Sequence, residues 1–154
     1  MRLNLGCGSR LMDDAVNVDR VELPGMRFGT DVVWDLDQVP WPWQDNTVEA
    51  IHARDVFEHV HNAVSFMTEC HRILIPGCSL WIRTPNIALN LADAFTDPTH
   101  RRFPTWQTFD YWIAGTRYYE EHNAAYGGVT FVLQDRSPDE GSMLVVLGKL
   151  PGKL

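Results

Sequence analysis

The stretch from Arg2 to Asp19 constrains this chain most, because it joins two short apolar runs through a glycine turn and ends on an acid. Leu3 and Leu5 alternate along the first run, the period of a half-buried strand, and Gly6-Cys7-Gly8 follows at once. Glycine at positions 6 and 8 lets the backbone turn tightly and approach a ligand with no Cβ in the way. A second run, Ala15 to Val18, delivers Asp19 at its carboxyl end. In open α/β sheets that edge is where ligands sit, and an acid there takes ribose hydroxyls. The pattern therefore points to a nucleoside-containing ligand. Only Ser9 to Ala15 separate the turn from Val16, too few for the dozen or more residues of a helical crossover between parallel strands. The first crossover helix is expected to be missing or cut to about one turn.

Further along, Val21 to Gly29 reads as loop, and Asp31 to Leu36 as a third short strand ending in an acid. Val39 to Thr47 is turn chemistry around Trp41 and Trp43, a pair better suited to packing than to stacking on a substrate. Val48 to Ala53 alternates as strand four. Asn62 caps a helix whose apolar positions Phe66, Met67, Cys70, Ile73 and Leu74 follow three-and-four spacing, with Pro76-Gly77 as its stop. Ser79 to Arg83 is strand five, Ala88 to Phe95 a short helix, and Asp97 to Phe103 a polar loop. Thr105 caps a helix carrying Trp106, Phe109 and Ile113. Val129 to Leu133 and Met143 to Leu147, joined through Pro138, Asp139 and Gly141, form a hairpin pattern that makes the last strand antiparallel. Strands that alternate with few helices predict an α/β sheet in one domain over residues 1–150, with a loose tail at 151–154.

The net charge of −7 gives no overall positive field, so nonspecific nucleic-acid binding is not expected. Cys7, Cys70 and Cys78 are odd in number and form no C-x-x-C pair, which fits reduced thiols and a cytoplasmic setting. No apolar run reaches the length of a membrane span, and the charged, glycine-turned start does not read as a signal peptide. A nicotinamide site is disfavoured: Leu11 stands at the third position of G-x-G-x-x-G, and Asp19 comes much sooner than the roughly twenty residues such sites use.

In order, LNLGCG, VNVD, DLDQVPW, VFEHV and HRILIPG before SLWIRTPN resemble the class I S-adenosylmethionine-dependent methyltransferases, above all the small bacterial and phage forms. The resemblance runs in register from Arg2 to about Phe103, and DPTHRRF is typical of these forms too. It implies a Rossmann-like methyltransferase sandwich, mostly parallel, with reduced N-terminal helices. It also implies methyl transfer from S-adenosylmethionine to an acceptor, with S-adenosylhomocysteine as product and a small molecule as the expected acceptor. By this likeness Asn4 stands where many members carry an acid, and Gly6, Cys7 and Gly8 pass under the methionine part and ribose. Asp19 takes the ribose hydroxyls. Asp35 and Leu36 meet the adenine, although Asp31 and Asp37 compete for that place, and Arg54 and Asp55 lie beside the methionine moiety.

Three departures stand out: Arg10 replaces a third glycine, Cys78 replaces the second glycine of PGG, and the first crossover is short. With Met1 set almost directly against the first strand, no covering segment is expected before the turn. The expectation is then either weak cofactor binding or a site that a second copy or a partner chain completes, and a non-catalytic cofactor-binding domain or partner subunit stays open as an alternative.

An acceptor oxygen or nitrogen needs its proton removed, for which His59, Asp55 and His100 are candidates. For His59 the other reading, that Glu58-His59 merely starts a helix, stays open. Arg101 and Arg102 beside His100 form the one concentrated basic patch and can grip an acceptor carboxylate or phosphate, against an ordinary surface loop. Tyr111 is a further candidate for the acceptor pocket, as are Tyr118 and Tyr119, whereas Trp112 and Ile113 suit the core. His52, His59, His61 and His71 show no ligand spacing with acids, so no metal is expected.

Overall fold

The computed structural model describes residues 1–22 and 29–150. Most of the Val21–Gly29 loop and the whole 151–154 tail therefore lie outside the described residues. Seven strands form one sheet in the order β3-β2-β1-β4-β5-β7-β6. The strands are β1 (Arg2–Leu5), β2 (Val16–Asp19), β3 (Val32–Val33), β4 (Val48–Arg54), β5 (Leu74–Pro85), β6 (Phe131–Asp139) and β7 (Ser142–Lys149). β1 to β5 run parallel, and β7 inserts antiparallel between β5 and β6. This is the mostly parallel Rossmann-like sheet with an antiparallel hairpin that the sequence predicts.

The parallel strands bury alternate and consecutive apolar residues alike, because both faces are covered. Leu3, Leu5, Val18, Ile51, Leu80 and Ile82 are all fully buried. Helix α1 (Ala63–Ile73) starts where Asn62 accepts a hydrogen bond from the Ser65 N–H. It adds Phe66, Met67, Cys70 and Ile73 to the same core. Each such aromatic or aliphatic side chain contributes about 2 kcal/mol by leaving water. A two-turn 3-10 helix (Trp106–Tyr111) brings in Phe109, whose ring centroid lies 4.9 Å from that of Phe57.

Several boundaries differ from the sequence reading. The third strand keeps only Val32–Val33, since Trp34 onward turns away through the bond from Gln38 N–H to the Asp35 carbonyl. Helix α1 stops at Ile73, and Leu74 already opens β5, so Pro76-Gly77 interrupts a strand rather than ending a helix. The register moves from Val48 opposite Leu74 to Ala50 opposite Ser79, which bulges out the proline that cannot donate to the ladder. Helix α2 is Leu91–Thr96, capped by Asn90, one turn later than Ala88. The segment after Thr105 is 3-10 and ends before Ile113. The sequence reading assigned no element to helix α3 (Arg117–His122) or to the 3-10 turn Asn123–Tyr126. Between β1 and β2 there is no helix, as the spacing requires. No helix among the described residues is long and apolar enough to cross a membrane.

Candidate functional site

The carboxyl ends of β1, β2 and β4 open onto one cleft, with a cavity volume of about 660 Å³. Gly6, Asp19, Asp35, Leu36, Asp37, Asp55, His59, His100 and Arg101 line it. A second hollow, of about 450 Å³, shares Gly6 and Asp55 and holds Asn4, Cys7, Gly8 and Arg54. The structure thus brings every residue that the resemblance assigned to the cofactor to one end of the sheet.

Gly6 has φ +59°, and a Cβ there would fall 2.3 Å from Val56 Cγ2, so only glycine fits the turn. Gly8 is also left-handed, at φ +47°. Its N–H donates to Asp19 Oδ2 at 2.9 Å, and the Arg20 N–H donates to Oδ1 at 2.7 Å. The glycine turn therefore fixes the carboxylate at the lip of the cleft, and each oxygen keeps a further lone pair for a ligand hydroxyl.

The three acids around the third strand separate by their partners. Asp31 accepts from both the backbone N–H and the Nδ2 of Asn17. Asp37 accepts from the His61 N–H and pairs with its ring, which holds the Asp37 carboxyl below its usual range against the opposing pull of burial. Asp35 accepts only from the Asp37 N–H at Oδ1, so among the described residues its Oδ2 has no hydrogen bond. The Leu36 carbonyl is taken by Trp41 Nε1 at 3.0 Å. Trp41 itself is buried and meets Trp43 and Phe66 edge-on, as packing.

Asp55, at φ +56°, closes β4 between two cations. Arg10 donates to Oδ2 at 2.8 Å, and Arg83 donates to Oδ1. Arg83 Nε also reaches Asp139 at 2.7 Å. Arg10 in place of the third glycine is therefore tied across the mouth of the smaller hollow. Asn4 is buried and spent inward, donating to the Arg10 carbonyl and to Asn17 Oδ1.

On the opposite wall, the loop 97–103 docks onto residues 57–61. The Arg101 N–H donates to the Glu58 carbonyl at 2.9 Å. Arg102 donates to the carbonyls of Phe57 and His61 and lies over the Phe57 ring. Of the two arginines of the basic patch, Arg101 lines the cleft while Arg102 is a clamp within the fold. Tyr111 stacks with Tyr118 and packs on Tyr126, and it is not among the cleft-lining residues. The clamp and the aromatic cluster satisfy both residues locally, and that is the physical reason they leave the cleft.

The docked loop also sets His100 beside His59, with ring centroids 4.8 Å apart. Glu58, only 1% exposed, lies behind them. Its Oε2 accepts from the Thr84 hydroxyl at 2.9 Å, and Oε1 is buried without a partner. Burial pushes the Glu58 carboxyl up to about 7. It pulls the His59 imidazole down, and neighbouring His100 adds to that. The sequence reading considered His59 together with His52, His61 and His71 and did not set it beside His100, which the docked loop brings to it.

Residues 3–82 match the family model described as a methyltransferase domain. No curated protein matches this chain by sequence. Among solved structures, an S-adenosylmethionine-dependent methyltransferase from Methanosarcina mazei is 14% identical, with 97% of this chain and 92% of that one covered at a TM-score of 0.58. The Burkholderia thailandensis 1,6-didemethyltoxoflavin-N1-methyltransferase, solved with its substrate and S-adenosylhomocysteine, is 15% identical at a TM-score of 0.58, covering 97% of this chain and 70% of that one. A Haloferax volcanii complex between the Trm112 methyltransferase activator and a methyltransferase gives 12% identity and a TM-score of 0.53 over 78% of this chain. The chain spans 62% of the matched Haloferax protein.

Proposed function

This chain belongs to the class I S-adenosylmethionine-dependent methyltransferase family, and from that premise we propose that its main cleft binds S-adenosylmethionine and passes the methyl group to a small-molecule acceptor. The observation that carries this is Asp19, fixed by the Gly8 and Arg20 N–H groups at the lip of a cleft that also holds the free oxygen of Asp35. Two acids on adjacent strand ends suit the two hydroxyl and amine edges of a nucleoside. Asp19 would hold the ribose and Asp35 the exocyclic amine of adenine. Cys7, Gly8 and Arg54 would face the methionine part from the smaller hollow. When bound, the cofactor supplies an activated methyl group on a sulfonium.

The protein's share is position and charge. Holding an acceptor in line with the methyl can supply several kcal/mol, about 7 or more in favourable cases. Both oxygens of Asp55 accept from guanidinium groups, so Asp55 anchors the mouth of the site and does not take the proton. His59 and His100 line the acceptor side and are the groups proposed to receive it. Arg101, on the same wall, would attract an anionic acceptor.

A second reading, a cofactor-binding subunit that works within a complex, is favoured by one observation. The crossover between β1 and β2 has no helix to cover the methionine end. Calorimetric titration with S-adenosylmethionine and S-adenosylhomocysteine, with NADH as the negative control, tests the common premise. Micromolar binding of both sulfur nucleosides is expected, and their failure to bind while NADH binds would overturn it. Turnover of anionic small molecules, alone or with a partner chain, then separates the two readings.

A further inference from the structure

With the carboxyl ionised and both imidazoles neutral, the corner formed by Glu58, His59 and His100 presents three hydrogen-bond acceptors with no donor among them. The His100 Nδ1 lies 2.7 Å from the Ala94 carbonyl, which can only accept, so Nδ1 carries the proton and Nε2 is the acceptor of the neutral ring. The Thr99 hydroxyl donates to Asp97 Oδ1 at 2.7 Å, so it must accept from His59 Nδ1 at 3.0 Å. The His59 Nε2 is therefore an acceptor too. Glu58 Oε1 is buried without a hydrogen bond, although Oε2 is satisfied by Thr84. Such an orphaned carboxylate oxygen is costly unless something positive completes it.

One ligand atom from each of the three residues lies within 4.8 Å of the others. Three ligands around one ion with bonds of about 2.1 Å stand about 3.4 Å apart in tetrahedral geometry, so side-chain rotations that draw the three atoms together by about 1 Å complete the site. Two imidazoles whose far nitrogens are pinned by a backbone carbonyl and a hydroxyl, plus one carboxylate, are the donor set of an open first-row metal site. The outer hydrogen bonds are those that orient metal-bound histidines.

We propose that Glu58, His59 and His100 form a binding site for one divalent first-row transition-metal ion, with its open coordination positions facing the main cleft. A proton shared within the corner would bridge only two of the three acceptors, whereas a single cation meets all three. The ion's role toward an acceptor rests on the methyl-transfer reading, but its binding does not. Under that reading an oxygen of the acceptor is the added ligand, and coordination lowers its pKa. With the ion bound, His59 and His100 hold it and the acceptor's proton passes to solvent; with the corner empty, either imidazole can receive it.

The test is equilibrium dialysis of the untagged, chelator-stripped full chain against Zn²⁺ and, separately, Mn²⁺, without cofactor. One ion per chain is expected. His59→Ala and His100→Ala should each weaken binding at least about tenfold. Glu58→Gln, which keeps the shape and the acceptor for Thr84, should do the same. His122→Gln, on an exposed imidazole elsewhere, should leave binding unchanged. Co²⁺ loading should give visible absorption bands that the His59→Ala/His100→Ala double variant lacks. Binding of no ion in stoichiometric amount, or equal binding by the double variant, would overturn the proposal. Because no cofactor is present, neither outcome depends on the methyltransferase reading.

Discussion

The two walls of the main cleft are made in opposite ways. On one side, Asp19 ends β2 and Asp35 follows β3, and nearby backbone N–H groups of Gly8, Arg20 and Asp37 hold them. On the other, Glu58, His59 and His100 meet only because the 97–103 loop docks across the chain. The first wall is half-buried, and its unpaired carboxylate oxygen, Asp35 Oδ2, has no hydrogen bond among the described residues. The second has its orphaned oxygen on the buried Glu58. A half-buried rim presents spare lone pairs to a neutral ligand edge, whereas an unsatisfied buried corner calls for a cation or a proton. On the proposed reading, the difference separates binding a nucleoside from doing chemistry beside it.

The largest effect is expected where the rim is braced. Gly6→Ala places a Cβ 2.3 Å from Val56 in a left-handed conformation and should cost about 3 kcal/mol of stability, read by denaturant unfolding. Unchanged stability would mean that the turn is not held as described. Asp19→Ala should weaken S-adenosylhomocysteine binding by about 2 kcal/mol, roughly thirtyfold, with little change in melting. Equal affinity would remove Asp19 from the site and break the contrast between the walls.

These first two variants fall on residues that the sequence made legible, for a physical reason. Strand, glycine turn, strand and acid lie within eighteen residues or so, and spacing alone brings them to one sheet edge. The sheet and its antiparallel hairpin were legible through the same short-range alternation. The opposite wall was not. Glu58 and His59 stand some forty residues from His100, and nothing local marks them as neighbours. The one available signal was a pair of histidine-bearing polar motifs, VFEHV and DPTHRRF, in a single chain. Asp35 was separable from Asp31 and Asp37 only by their hydrogen-bond partners, which spacing does not reveal. β5 reached back to Leu74 because a bulge absorbed Pro76, a tertiary solution to a local helix stop.

Gly8→Ala gives a smaller effect on the rim. The backbone is left-handed, but a Cβ there meets open space, so the cost should be about 1 kcal/mol of stability. A loss as large as that of Gly6→Ala would show that the two glycines brace the turn alike. The smallest effect concerns an imidazole outside the site. His71 packs edge-on against Phe131 beneath Lys149, and burial pulls its pKa down to about 4. The unfolded chain takes up this proton below about 6.5 while the folded one does not. Stability should therefore be greatest above about pH 6.5 and fall by about 1 kcal/mol toward pH 4, after allowance for partial exposure. His71→Gln should flatten that limb in thermal melts taken across this range. A slope unchanged by the substitution would assign the acid sensitivity to other groups.

The most direct test of the central claim is a crystal structure of the protein with S-adenosylhomocysteine. The account predicts the ribose on Asp19, the adenine beside Asp35 and Leu36, and the sulfur turned toward His59 and His100. A nucleoside seated elsewhere, or with its ribose away from Asp19, would contradict it.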